Sequence, residues 1–152
     1  EGVLNRIVSL NKLMLERIMG EPVIFYIKKG AGQRCPDCYD LINEDGRTDL
    51  PLCMTCFNTT FLDGYDKVDG WVKMRNAPES ILENIYGKVE QKESTGWTLP
   101  YPILKTGDMI RNKSGEIYLI DTVNRKEQRG KGTIQMLVMK LLESGHPFYQ
   151  IP

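Results

Sequence analysis

"DMIRNKSGEIYLIDTVNRKEQRGKGTIQMLVMKLLE", residues 108–143, decides the fold. "NKSGE" is a tight turn between "DMIR" and "EIYLIDTV", where Ile117, Leu119 and Asp121 alternate against Tyr118, Ile120 and Thr122. Alternation with period two is the pattern of a strand. "RKEQRGKG" predicts a longer hairpin loop leading to "TIQMLVMKLLE". The Leu and Met content of that last run would suit a helix. It follows two glycines, however, and sets Ile134, Met136, Val138 and Lys140 against Gln135, Leu137, Met139 and Leu141, so a strand is predicted. Successive hairpins close on themselves and leave few free edges. The expected fold is therefore mainly β, a small antiparallel β-barrel.

Working outward, "PVIFYIKK" (residues 22–29) is rich in β-branched and aromatic residues and stops at Gly30, which predicts a buried strand. Before it, Leu4, Ile7, Val8, Met14, Leu15 and Ile18 recur at helical spacing between Val3 and Met19, with Gly20 and Pro22 as the stop, which predicts an N-terminal amphipathic helix. Between Gly64 and Pro102 periodicity is weak. "GWVKMRNA" reads as a strand, "PESILENIYGKV" as a short helix or a turn plus strand, with Pro78 at a start position and Gly87 near an end, and "GWTLPYPILKTGD" as extended, since residues preceding proline avoid the helical region. The expected organisation is a barrel domain with its helix from residues 1–30 and 64–152, interrupted by an insertion at 31–63.

The insertion carries all four cysteines, as C-x2-C-x14-C-x2-C: Cys35, Cys38, Cys53 and Cys56. Two CxxC turns offer four thiolates to one ion, completing a tetrahedron with Zn–S bonds of about 2.3 Å and no open coordination position. One structural Zn²⁺ is expected. Iron in a rubredoxin-like site has the same ligand set. Disulfides would require an oxidising compartment, and the first residues, interrupted by Asn5, Arg6, Asn11 and Lys12, do not resemble a secretory signal. A redox CxxC of the thioredoxin kind belongs in a βαβ unit, which this chain lacks by pattern. The stretch between the pairs, with Asn43, Glu44, Asp45 and Gly46, lacks the alternating acids of a calcium loop.

The 152 residues hold 20 Lys and Arg against 20 Asp and Glu, so no general attraction to nucleic acid or anionic membrane follows. No apolar run reaches the roughly 18 residues of a membrane span. A basic segment stands out locally at Arg125, Lys126, Arg129 and Lys131, against Glu127 alone. The one histidine, His146, precedes a proline in a turn and reads as structural. With no nucleophile–base pair, phosphate loop or dinucleotide fingerprint, the chain is expected not to be an enzyme.

The order of these features resembles the head-closure (neck, or head-to-tail connector) proteins of tailed bacteriophages, in the variant with a zinc knuckle inserted in the barrel. The matching pieces are "VIFYIKK", "CPDCYD", "CMTCFNTTFLDGY", "PYPILKTGDMIRNKSGEIYLIDTV", the basic hairpin, "IQMLVMKLLE" and "HPFYQIP". Within them lie L-x3-D-x-I (Leu104, Asp108, Ile110), G-x-IY-x-I-x-x-V from Gly115 to Val123, Gln135 opening a strand, and a terminal Y-x-IP from Tyr149 to Pro152. Where such proteins commonly have a "GTGF" segment, this chain has Asn58, Thr59, Thr60 and Phe61.

The resemblance implies a non-enzymatic virion protein of the phage neck, assembled in the host cytoplasm. It would form a homo-oligomeric ring of six or twelve copies that meets the portal or adaptor protein on one side and the tail or tail-terminator protein on the other. Arg125, Lys126, Arg129 and Lys131 would then be candidate contacts to packaged DNA in the channel, independent of sequence and sensitive to salt. The competing class is a zinc-ribbon nucleic-acid-binding or regulatory protein. Around the cysteines, though, Asp37, Asp40, Glu44, Asp45 and Asp49 outnumber Arg34 and Arg47, and an acidic knuckle repels phosphate.

Overall fold

The computed structural model describes residues 2–38, 52–76, 80–84, 87–91, 93–128 and 130–152. The chain runs through a helix α1 (Gly2–Met14), a π-helical turn (Leu15–Met19), and strands β1 (Glu21–Lys28), β2 (Tyr65–Asn76), β3 (Ser80–Asn84), β4 (Gly87–Gln91), β5 (Glu93–Thr98), β6 (Met109–Arg111), β7 (Ile117–Gln128) and β8 (Lys131–Leu141). Six of these strands close into an antiparallel barrel in the order β1-β2-β5-β8-β7-β6. The expected β-barrel with its N-terminal helix is thus the observed fold.

The barrel interior is filled by Val23 and Phe25 of β1, Val72 of β2, Ile110 of β6, Tyr118 and Ile120 of β7, and Leu137 and Met139 of β8, with Leu104 closing one end. Gly70 pairs with Val23 across the β1–β2 ladder, and a Cβ there would run into the Phe25 ring. Neighbouring residues of the same strands point the other way, as strand geometry demands. Tyr26, Met109 and Ile117 form a second cluster on the outer face of β1, β6 and β7, with Ile24 and Leu119 packed against it. That wall is buried on both faces, which is why "VIFYIK" reads as a nearly continuous apolar run.

Three sequence expectations change. The π-helical turn inserts one extra residue per hydrogen bond, with Gly20 N–H donating to Leu15 O at 3.0 Å. Leu15 becomes fully buried, but Ile18, expected on the same stripe, is thrown out to solvent. The segment left as helix or strand is a hairpin: β3 pairs antiparallel with β4, from Ser80↔Gln91 to Asn84↔Gly87. Its β-branched content outweighs Pro78 and Gly87 as helix-end signals, and Pro78 itself lies outside the described residues. Finally, "RKEQRGKG" is not a long loop. β7 continues to Gln128 and β8 begins at Lys131, with ladder irregularities at Ile120/Thr122 and Lys126/Glu127 and Gly130 at φ +75° in the tight turn. β6 covers β7 only from Ile117 to Leu119, and β5 pairs with β8 from Gln135 to Lys140, so only the end of the hairpin, residues 126–128 with 131–134, continues past those ladders as a two-stranded ribbon, beside α1 and Pro100.

Asp108 ties three elements together. It is 2% exposed, and its carboxylate accepts from Lys28 N–H (2.9 Å) at the end of β1 and from Lys105 N–H (2.7 Å), while its carbonyl accepts from Ile120 N–H (2.9 Å) on β7. Burial pushes its pKa above the ordinary carboxylate value, and the Lys28 and Lys105 amides pull against that. Asp108→Asn keeps the shape but offers one acceptor oxygen in place of two. It is expected to lower unfolding free energy by about 1–3 kcal/mol, read as a shifted urea midpoint with unchanged slope.

Candidate metal centre

The β1–β2 ladder does not stop at Lys28↔Tyr65. Lys29 N–H donates to Gly64 O, Leu62 N–H to Gln33 O and Cys35 N–H to Thr60 O, each at 2.9 Å, with a bridge at Arg34↔Phe61. These irregular rungs carry the two chain legs outward to the cysteines, so both CxxC turns meet at the end of one ribbon. Arg34 stacks over the Phe61 ring at 5.0 Å, covering the module's base.

The four sulfurs lie within 4.8 Å of one another. Cys35 and Cys56 are fully buried and Cys38 nearly so, while Cys53 is half-buried. Cys35 Sγ is 3.8 Å from Cys53 Sγ, and Cys38 Sγ is 3.3 Å from Cys56 Sγ, so the thiols are free and not bonded as disulfides. A tetrahedron with metal–sulfur bonds of about 2.3 Å has edges of about 3.8 Å. The cluster has that size, and it is the only group of three or more potential ligands found among the described residues.

The local backbone exists to build this cage. Phe57 N–H donates to Cys53 O (2.7 Å) and Thr59 N–H to Cys56 O (3.0 Å), and the Asn58 side-chain oxygen accepts from Cys53 N–H (2.9 Å). Phe57, Asn58 and Thr60 all take left-handed conformations, at φ +51°, +61° and +70°. The Thr59 hydroxyl donates to Cys56 O and sits where a Cβ on residue 64 would be, which requires Gly64. Thr55 Oγ1 donates to Asp37 Oδ2, linking one CxxC turn to the other.

Electrostatics argue for a cation. Burial, reinforced by the neighbouring thiols of Cys56, Cys35 and Cys53, pushes the Cys38 thiol far above its ordinary value, and burial also raises Cys56. For Cys53 burial acts upward too, but the Cys56 and Thr55 amides outweigh it and bring the thiol down to about 7. Tyr65, beside the cage, is pushed up to about 12 by burial first and then by Asp108 and Cys56. Four thiolates this close repel one another, whereas a bound cation neutralises them and leaves the amide donors to hold the residual charge. The residues present therefore fit a four-thiolate metal ion. With all four positions filled by protein, such an ion organises the fold and has no site for a substrate.

The acidic stretch between the pairs, including Asp40, Glu44, Asp45, Arg47 and Asp49, lies outside the described residues, as does Arg129. The remaining basic candidates are not gathered on one surface. Arg125 pairs across the ladder with Gln135 and Lys126 with Ile134, so Arg125 and Lys126 face opposite sides of the ribbon. Arg125 Nη2 leans back to Leu104 O at 3.4 Å, and Lys131 opposes Gln128 at the tip.

Sequence pattern alone did not mark the buried polar fasteners. Gln135 is fully buried. Its amide nitrogen donates to Leu99 O (2.8 Å) and Pro102 O (2.7 Å), and its amide oxygen accepts from Leu104 N–H (3.0 Å). Its signal was present all the same, as a polar residue standing in the inward series with Leu137 and Met139. The Tyr149 hydroxyl likewise accepts from Ile117 N–H (3.1 Å) and donates to Leu142 O (3.0 Å). His146 Nδ1 accepts from Phe148 N–H at 3.3 Å, a structural role as expected.

Fold and site together define a small closed β-barrel with a cluster of four cysteines between its first two strands that could hold a metal ion. No protein-family model matches the chain, and no curated protein matches it in sequence. Among the described residues no helix is long and apolar enough to cross a membrane.

Proposed function

We propose that this protein is a structural, non-enzymatic subunit of a tailed-phage neck, and that the ion held by its four cysteines is zinc. Copies would assemble into a homo-oligomeric ring that closes the DNA-filled head and joins the portal or adaptor to the tail. The supporting observation is that the residues carrying the resemblance are the ones that fasten the barrel. Leu104, Asp108, Ile110, Tyr118, Ile120, Gln135 and Ile151 are all buried, and Tyr149 bridges Ile117 to Leu142. Agreement at positions that set the shape of the barrel speaks for a shared architecture more strongly than the cysteine spacing does.

A closed ring needs two different surfaces per subunit, because each copy contacts its neighbours head to tail. Exposed apolar side chains occur on separate elements: Val3, Leu10 and Leu13 along one stripe of α1, and Tyr101, Ile103 and Met136 elsewhere. The test is assembly. Native mass measurement and negative-stain images, with and without the portal complex, should give rings, whereas a zinc-ribbon regulator or an enzyme with a structural metal would remain monomeric. Elemental analysis should find one zinc and no iron per chain.

Within such a ring the basic end of the β7–β8 hairpin would face the channel. Reversing charge at Arg125, Lys126, Arg129 and Lys131 is expected to reduce DNA retention in filled heads and to flatten its salt dependence. Unchanged retention would remove DNA contact from the ribbon's role.

A further inference from the structure

Phe57 belongs to two structures at once. Its backbone is part of the cysteine turn, held at φ +51° with its N–H on Cys53 O. Its ring, 8% exposed, lies in the outer cluster with Tyr26, Met109, Ile117 and Ile151. There it meets Phe148 edge-on, with ring centroids 6.3 Å apart and planes at 63°. Phe148 also meets Tyr65 at 6.5 Å and belongs to the 3-10 turn Pro147–Gln150, which His146 caps. Apart from these rings, the turn is fastened to the barrel by the Tyr149 hydroxyl and by buried Ile151. Thr55 and Phe57 of the cysteine turn share the lining of a cleft of about 420 Å³ with Tyr65, Ile151 and Pro152, and the Phe57 ring joins that turn to the outer cluster.

We propose that metal occupancy controls whether the segment from His146 to Pro152 is docked on the barrel, with Phe57 as the link. Left-handed conformations at Phe57, Asn58 and Thr60 are strained and persist only while their surroundings enforce them. Thiolate coordination is what enforces them here. When the ion leaves, the turn relaxes, the Phe57 ring withdraws, and Phe148 and Ile151 lose the wall they rest on. The apolar outer face of β1, β6 and β7 is then uncovered. Metal state thus sets whether this face is covered by the chain's own segment. Coupling of this kind is reciprocal, so docking of the segment must tighten metal binding by the factor with which metal tightens docking.

The experiment is hydrogen exchange on the full chain, with zinc and with EDTA. Zinc removal should speed exchange at Tyr149 and Ile151 by about tenfold or more while Leu137 and Met139 in β8 stay protected. Phe57→Ala, which keeps all four cysteines, should give the same fast exchange with zinc still bound. That variant decides the matter if EDTA unfolds the wild type. In competition with a chromophoric chelator, Phe148→Ala should weaken zinc binding about five- to tenfold. Gln135→Ala, which loosens the barrel away from the cluster, should leave zinc affinity unchanged. Slow exchange at Tyr149 and Ile151 in zinc-loaded Phe57→Ala, or unaltered affinity in Phe148→Ala, overturns the coupling while leaving the metal centre standing. A chain that binds no zinc overturns both.

Discussion

Cys53→Ser is expected to abolish stoichiometric metal binding and to collapse the segment between β1 and β2. Chelation of the wild type should do the same. Structural four-cysteine sites contribute about 10 kcal/mol or more of apparent binding free energy, which in a module with so little core is its folding free energy. Among the described residues of this module, only Phe57 and Phe61 of the large apolar side chains are buried. Neither would hold the left-handed turn alone. The barrel should survive at reduced stability, since Val23, Phe25, Leu137 and Met139 do not touch the cage, but its thermal midpoint should fall as the outer cluster loses Phe57. One equivalent of zinc retained by Cys53→Ser, with an unshifted midpoint, would refute the closed four-thiolate site.

Gln135→Leu is the second large effect. Volume is nearly kept and apolar surface is gained, so packing alone predicts little change. Three backbone groups lose their partner, however: the Leu104 amide and the Leu99 and Pro102 carbonyls. Each buried orphan costs about 1–3 kcal/mol, and a loss of about 3–5 kcal/mol is expected after partial relaxation. The segment 99–104 should gain exchange before the strands do. A variant as stable as wild type would mean that water replaces the amide, and that the end of the barrel is wetter than its burial implies.

How far the sequence could be read follows from what each signal depends on. β7 and β8 were legible because alternation in "EIYLI" and "TIQMLVMKL" is local, and β1 because a short apolar run ended by glycine leaves few options. The four-cysteine cluster was legible because the spacing of two CxxC turns is that of a single site. The β3–β4 hairpin was ambiguous, since Pro78 and Gly87 are also helix punctuation and nothing in "SILEN" or "GKVEQ" has a period long enough to decide. The length of the β7–β8 ribbon was missed because its charged residues look like a loop. Cross-strand pairing, which composition does not report, keeps them extended to the tip. Ile18 was misplaced because a single π-type hydrogen bond shifts helical phase without leaving a sequence mark. Asp108 and Gln135 entered the sequence reading only as matching letters, and their work is visible only once Lys28, Lys105, Leu99 and Leu104 are seen around them.

The rung between Lys29 N–H and Gly64 O has an evolutionary consequence. The chain leaves the barrel and re-enters it at a single step of the ladder, so the whole four-cysteine excursion could be gained or lost without moving a barrel strand. A shortened descendant with a tight turn in its place would still pair β1 with β2. It would also inherit a hole over Tyr26, Met109 and Ile117 where Phe57 had been. Relatives without the cysteines should therefore carry a compensating large apolar residue on the outer face, and its position would record that the module was once there.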